Sequence, residues 1–425
     1  MAPKLIKPRF LFIPPVLPSP DGPGLAMRTY YQIVNLSQIY SIHLLVAGTT
    51  PERPVYEGDI KNYCENIDHI CRYRFSGWKF SFWYRSCRLM DNLRHFFRGD
   101  DLTFAVDSGD SHYLQHNKTL AKIASMKFDI VHVFRLYLAP VAEILKKHGL
   151  NSFYSLDIDD IESDTRRSIS KLFFANCDFI QASNLSKESE IYFNIETKSI
   201  PGYDQIYTCS LLDRNILQNR FPGKVISVLP NVVPIPKKTR DHRANQIFTI
   251  LFVGTLGYYP NTDALLFFAD QIAPILREKS RQPWILRVVG TFPENKRIKH
   301  LESFPEIKFA GRVNDLSPEY DAADIVVAPI RGGGGTRIKI LEAFAHGVPV
   351  VSTSKGCEGL DVENRVHLII EDDARLFAEA CIQLMADNRF ADEISRQALD
   401  LAVFKYSPEI INQVWTSQLP HTGLK

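Results

Sequence analysis

Short runs rich in valine, isoleucine and phenylalanine recur along this 425-residue chain, separated by longer amphipathic stretches. In the first half they are Phe10–Pro14, Ile42–Ala47, Ile130–Phe134, Phe153–Leu156, Phe179–Ala182 and Val225–Leu229. In the second half they are Thr249–Val253, Ile285–Val289, Ile307–Phe309, Ile325–Ala328, Val348–Ser352 and His367–Ile370. A strand with one wet face alternates apolar and polar residues. These runs hardly alternate, as expected for strands covered on both faces of a parallel sheet. Their alternation with helical stretches predicts repeated βαβ units and an α/β fold. Between the halves, VVPIPKKTRDHRANQ (Val232 to Gln246) is rich in proline and charge and reads as a linker. Two doubly wound domains are expected, at 1–232 and 247–405, joined through 233–246.

Lysine and arginine number 50 against 48 aspartates and glutamates, a net charge of +2. That balance removes any whole-chain electrostatic case for binding nucleic acid. The seven cysteines (Cys64, Cys71, Cys87, Cys177, Cys209, Cys357 and Cys381) contain no CxxC pair, which points to a reducing compartment rather than a disulfide framework or zinc site. KLIKPRFLFIPPVLP reads as a first core strand rather than a leader, because its apolar run meets two prolines. No run reaches the ~18 apolar residues of a membrane span, so a cytoplasmic protein is expected. The segment 71–100, CRYRFSGWKFSFWYRSCRLMDNLRHFFRGD, interleaves arginines with aromatics. It is a helical insertion with aromatics in a core, a face for peripheral contact with an anionic inner membrane surface, or a platform that stacks on an extended ligand.

The most informative stretch is ADIVVAPIRGGGGTRIKILEAFAHGVPVVSTSKGCEGL, Ala323 to Leu360. A buried strand runs into Gly332–Gly335. A helix is expected from about Thr336 to His346, closed by Gly347 as a left-handed cap. Glycines at a strand-to-helix turn let backbone amides approach a ligand, and the helix N-terminus offers unpaired N–H groups and partial positive charge. Arg337 and Lys339 add two cations in the first turn, and Glu342 shares a face with Lys339. Phosphates beside the cations, with ribose hydroxyls on the carboxylate, would use all three. No Gly-Lys-Ser/Thr ends the loop, so it is not a Walker loop.

This stretch resembles the donor-site signature of glycosyltransferase family 4, the retaining nucleotide-sugar-dependent enzymes of GT-B fold, in the branch reading GxGTRxKILEAxAxGxPVVST. LPNVV (Leu229–Val233), LFVGTLGYYPNTDALLFF (Leu251–Phe268) and IKFAGRVNDLSPEYDAADIVVAP (Ile307–Pro329) are similar to further segments of that family. The resemblance implies two Rossmann-like domains facing a central cleft, and a C-terminal crossover helix in 406–425. It implies a nucleoside-diphosphate sugar as donor, a glycan or lipid-linked acceptor, and neither cofactor nor metal. Carried over by position, Glu342 would bind the ribose, and Arg337 and Lys339 the diphosphate. Gly254 and Gly257 would line the site, with Gly334, Gly335 and Thr336 in the donor loop and the Val313 backbone near the base. The family pattern has a glutamate eight residues before Glu342, where this chain has Gly334. Two other readings remain open: a nucleotide-sugar epimerase, and a non-catalytic subunit that binds without turnover.

The first half offers its own candidates. Gly22, Pro23 and Gly24 precede a helix on which Met27, Tyr31 and Val34 share a face. The Gly24 turn is either a second anion-binding helix terminus or an ordinary βα turn. In SLDIDDIESD, Asp157 and Asp159 stand two apart, so an extended strand would point them the same way. A metal-binding DxD is one reading. A metal-free carboxylate pair is preferred, since the second half already neutralises phosphate with cations. His132 is either a cleft residue or a structural histidine. Together with Gly24 and Asp160 it would serve the acceptor.

Overall fold

The computed structural model describes residues 7–49, 59–72, 114–237, 247–291 and 297–419. The chain forms two compact units. One comprises Met1–Arg166, Asn184–Leu229 and Ile411–Lys425, the other Arg167–Ser183 and Pro230–Ile410.

The elements of the first part of the chain are β1 (Arg9–Ile13), α1 (Gly24–Ile39), β2 (Ser41–Gly48), β3 (Asn66–Cys71), α2 (Lys118–Ala124), β4 (Ile130–Phe134), α3 (Ala139–Lys147), β5 (Phe153–Asp159), α4 (Glu162–Ala175), α5 (Phe179–Ser199), β6 (Gln205–Thr208), α6 (Leu211–Arg220) and β7 (Val225–Val228). Among the described residues the seven strands pair in the order β3-β2-β1-β4-β5-β6-β7, all parallel. Alternate residues of each strand feed opposite faces. Leu11, Ile13, Leu45, Val131 and Val133 enter one core with Leu138, Ile144 and Leu145 from the α3 side. On the other face Phe10 and Phe12 lie against His132, with ring centroids 6.0 and 4.9 Å away.

The second unit contains β8 (Phe248–Val253), α7 (Tyr259–Phe267), α8 (Ala273–Lys279), β9 (Trp284–Val289), β10 (Ile307–Gly311), α9 (Ser317–Ala322), β11 (Ile325–Ala328), α10 (Ile338–Ala345), β12 (Val350–Ser352), β13 (Ile369–Ile370), α11 (Ala374–Ala386) and α12 (Asn388–Lys405), and α13 (Glu409–Gln418) follows. Its strands pair in the order β10-β9-β8-β11-β12-β13, again all parallel among the described residues. Ile250, Phe252, Leu286, Val288 and Val327 pack with Phe268, Leu276 and Phe377 on one face. Leu251, Val253, Val326 and Val350 pack with Ile340, Leu341 and Phe344 of α10 on the other. Each unit is thus a doubly wound, Rossmann-like α/β layer structure.

Three features depart from the sequence reading. Phe179–Ala182, expected as a strand, opens helix α5, with Phe179 and Ile180 exposed. The strand of that region is β6, whose sequence QIYT is too short and mixed to announce itself. The edge strand β3, NIDHIC, was not foreseen because it is only half-buried and polar. The span 1–232 is also not one unit, since Arg167–Ser183 packs with the second. The arginine–aromatic segment 71–100 lies outside the described residues from position 73 onward, as does 238–246 of the linker. No helix among the described residues is long and apolar enough to cross a membrane.

The last helix closes the aromatic face of the first sheet. Trp415 is 1% exposed. Its indole meets His132 edge-on at 5.5 Å and Tyr207 at 4.9 Å. Trp415→Ala is expected to lower the stability of this unit by about 3–5 kcal/mol, the cost of an aromatic-sized cavity. Urea denaturation followed by circular dichroism checks it, and Trp415→Phe should recover most of the loss.

Candidate functional site

In an open parallel sheet, ligands collect beyond the carboxyl ends of the strands where the strand order reverses. In the second unit that point lies between β8 and β11. The loop after β8 carries Gly254 and Gly257, and the loop after β11 carries Gly332–Gly335 and leads into α10.

The glycine loop has a backbone that larger residues would strain. Gly333 has φ +101°, and a Cβ there would stand 2.9 Å from the Tyr258 hydroxyl. Gly335 also lies in the left-handed region, at φ +70°. Arg337 folds back over the loop, donating to the carbonyls of Gly334 and of Gly332, the latter at 3.2 Å. Asn231 donates to the Thr336 hydroxyl at 2.8 Å. Helix α10 starts at Ile338 and has no side chain capping its N-terminus. By contrast, Asp373 caps α11 by accepting from Arg375 and Leu376 at 2.9 and 3.1 Å. The first-turn amides of α10 are therefore not closed off by a capping side chain, and they add to the local positive potential. Gly347, at φ +67°, ends the helix as the sequence predicts.

Lys339 lies in the first turn with its ammonium 2.9 Å from Asn261 Oδ1 and 5.1 Å from the centre of the Phe252 ring. Gly254 sits directly against it, because a Cβ there would stand 2.8 Å from Asn261 and 3.0 Å from Lys339 Nζ. Burial, aided by the Arg337 charge and opposed by Glu342, lowers the Lys339 pKa to about 7. One turn along, Glu342 accepts a 2.7 Å hydrogen bond from the Tyr320 hydroxyl. Burial pushes its carboxyl pKa up, and the Tyr320 bond opposes this. The Tyr320 ring stacks on His346 at 5.1 Å, and His346 Nδ1 lies 3.0 Å from Asp321. Val313 is half-buried against the same core, whereas Gly257 is exposed.

A second set of contacts braces the loop. Gly333 N–H donates to Ser168 Oγ at 3.1 Å. Gly332 lies so close to Leu172 that a Cβ would stand 2.4 Å from its Cδ1. Phe173 stacks on Tyr259 at 3.6 Å. Asn176 donates to Asp263 at 2.9 Å, and Asp263 accepts a forked pair of bonds from Arg331 at 2.9 and 2.7 Å. Sequence reasoning missed this brace, along with Asn261, Tyr320 and Asn231. Tyr320 stood inside a quoted motif without a role, and nothing local links Ser168 to Gly333.

The structure brings Arg337, Lys339, Glu342, Gly254, Gly334, Gly335 and Thr336 together within one unit. The first-half candidates fare differently. Asp157 is fully buried and accepts from Arg28 twice at 3.0 Å, from Gln32 at 2.7 Å and from the Asp159 amide at 2.9 Å. Its oxygens are saturated, which makes it a structural carboxylate. The strand bulges between Asp157 and Asp159 and Asp159 takes φ +63°, but both carboxylates reach Arg28, Asp159 at 3.7 Å. His132 is also fully buried, bonds Ser155 Oγ at 2.8 Å, and burial lowers its pKa to about 4. It belongs to the aromatic core. Asp160 is held by Arg135 and by the Thr165 hydroxyl at 2.7 Å. Gly24 is the first residue of α1, which has no capping side chain. Among the described residues no group of three His, Cys, Asp or Glu side chains is placed to hold a metal ion.

Two all-parallel Rossmann-like units of this kind make up the GT-B fold. Residues 247–387 match the family model described as Glycosyl transferases group 1. Solved structures similar across nearly the whole chain share that fold. Sucrose-phosphate synthase from Thermosynechococcus elongatus has a TM-score of 0.65 at 15% identity, covering 97% of this chain and 98% of that one. Anabaena HepE in complex with UDP-glucose has a TM-score of 0.59 at 14% identity, covering 96% and 98%. Among curated proteins, an uncharacterized 44.6 kDa protein in the cps region of Klebsiella pneumoniae is 26% identical over 165 residues. That match spans 37% of this chain and 42% of the relative.

An anion docking beside Lys339 would favour its charged form and raise its depressed pKa. Above pH 7 binding must then draw in a proton, so pyrophosphate affinity should fall as pH rises from 7 toward 9, by up to about tenfold per unit. Calorimetry in buffers of differing ionisation enthalpy should detect the uptake at pH 8, and Lys339→Ala should abolish it.

Proposed function

We propose that the chain is a nucleotide-sugar-dependent glycosyltransferase whose donor site is the glycine loop and first turns of α10. The carrying observation is the convergence of Arg337, Lys339, Glu342 and an uncapped helix N-terminus at the strand-order reversal of a glycosyl transferases group 1 domain. Cleaving a sugar from a nucleoside diphosphate develops negative charge on the leaving phosphate. Fixed N–H groups and two cations meet that charge where it forms, without reorganisation. Glu342, held by Tyr320, is the hydroxyl acceptor of the set and takes the ribose.

Retention of anomeric configuration, with front-side attack assisted by a donor phosphate oxygen, is the reading that the resemblance to family 4 supports. No residue here is offered as a protein nucleophile. The complexes with UDP-glucose in HepE and with UDP-2-fluoro glucose in the E. coli trehalose-6-phosphate structure make UDP-sugars the first donors to try. A glycan or lipid-linked acceptor is the reading favoured by the relative in the cps region.

Thermal shift with UDP-, GDP- and ADP-sugars tests the donor site. One nucleotide class should stabilise the wild type, and Lys339→Ala and Glu342→Ala should each weaken that binding at least tenfold. Stabilisation by none of them, or equal stabilisation of the variants, sinks the reading. Slow hydrolysis of the donor without acceptor separates an enzyme from a subunit that only binds, and an epimerised sugar in the products would mark an epimerase.

A further inference from the structure

Helices α4 and α5 form a hairpin whose turn has two unlike sides. Ser168, Leu172, Phe173 and Asn176 brace the glycine loop. The other side carries Phe174, Phe179 and Ile180, which are 64%, 58% and 75% exposed. The Phe174 and Phe179 rings meet edge-on with centroids 5.3 Å apart, so the side chains form one patch. The turn is fixed by the Cys177 amide on the Phe174 carbonyl at 3.0 Å and the Asp178 amide on the Phe173 carbonyl at 2.9 Å. Contiguous large apolar groups in water mark a surface made to be covered.

The charges nearby say by what. Lys171 stands three residues before Phe174, Arg167 seven before it, and Lys187 seven after Ile180, all exposed. At ~1.5 Å per helical residue, these cations are set back roughly 5 to 10 Å along both helices. Between positions 167 and 187 the one carboxylate is Asp178, paired with Arg297 at 2.8 Å. Apolar side chains that enter a bilayer boundary reach about 5–10 Å, and cations at that depth lie level with lipid phosphates.

We propose that this hairpin tip docks on an anionic lipid surface. Phe174, Phe179 and Ile180 enter the acyl boundary while Arg167, Lys171 and Lys187 meet headgroup phosphates. Because Leu172 and Ser168 on the same helix hold the glycine loop, the docked tip lies about one helix width, ~10 Å, from the donor loop. An acceptor that stays in the membrane would then be presented beside the donor. The docking does not depend on the transferase reading and is tested without it.

The experiment is co-sedimentation of the full chain with sucrose-loaded vesicles, of phosphatidylcholine alone or mixed equally with phosphatidylglycerol. Wild type should bind the mixed vesicles. The triple variant Phe174→Ser, Phe179→Ser, Ile180→Ser should lose at least tenfold in partitioning. The pair Lys171→Glu, Lys187→Glu should lose at least threefold. All five residues are exposed, so circular dichroism and the nucleotide-sugar thermal shift should match wild type, which separates failure of docking from failure of the donor site. Binding of the triple variant at wild-type strength overturns the proposal by placing the contact elsewhere. Failure of the wild type to bind mixed vesicles also overturns it. If the serine variant then turns a dimer into a monomer by light scattering, the patch is an interface between copies.

Discussion

A parallel sheet satisfies its backbone along the strands and leaves it unpaired where the strands end, and all the ends fall on one side. Helices wound on both faces cover the apolar sheet but part where the winding reverses. In the second unit that reversal lies between β8 and β11. Whatever the loops after those strands carry is therefore brought together, however far apart it lies in sequence. Asn261, at the start of α7, and Lys339, at the start of α10, meet at 2.9 Å for this reason. The close approach of Gly254 to both follows from the same geometry.

The site so formed holds charge at a cost. A lysine with pKa lowered to about 7 and a carboxyl with raised pKa, one turn apart on one helix, are both disfavoured in their ionised forms by burial. Tyr320 offsets part of the cost at Glu342, and Asn261 part of it at Lys339. Neither Arg337, turned back onto carbonyls of its own loop, nor the α10 terminus supplies an anion. Strongly perturbed charges gathered at a strand-order reversal are what the proposed donor site would use. On the proposed reading, the same desolvation would strengthen each contact to a donor phosphate.

Where a residue's placement is local, the sequence announced it. The strands buried on both faces are continuous apolar runs, and Gly347 sits where a left-handed cap is needed. Arg337, Lys339 and Glu342 fall on one loop and helix, so their spacing is their geometry. The surroundings of Asp157 and His132 were not legible, because burial is decided at long range. Asp157 is paired with Arg28, 129 positions away, and His132 is enclosed by Trp415 near the end of the chain. No local pattern carries either fact. The brace on the glycine loop was hidden for the same reason, since Ser168 and Gly333 are 165 positions apart. Strands β3 and β6 were hidden by composition: an edge strand is half wet, and four residues of mixed polarity give no period.

The misreading at Phe179–Ala182 has a different origin. Apolar runs become strands because burial on a sheet rewards them, and here that reward is not collected. The run opens a helix, and three of its four residues, Phe179, Ile180 and Gln181, are exposed to water. A helix that needed only to brace a loop would gain nothing from large apolar residues turned outward. Keeping Phe174, Phe179 and Ile180 exposed forfeits the transfer free energy of three large side chains, roughly 1.5–3 kcal/mol each when fully buried. That forfeit stands until something apolar covers the tip. The cations set back behind it distinguish a lipid headgroup layer from the uncharged face of another helix.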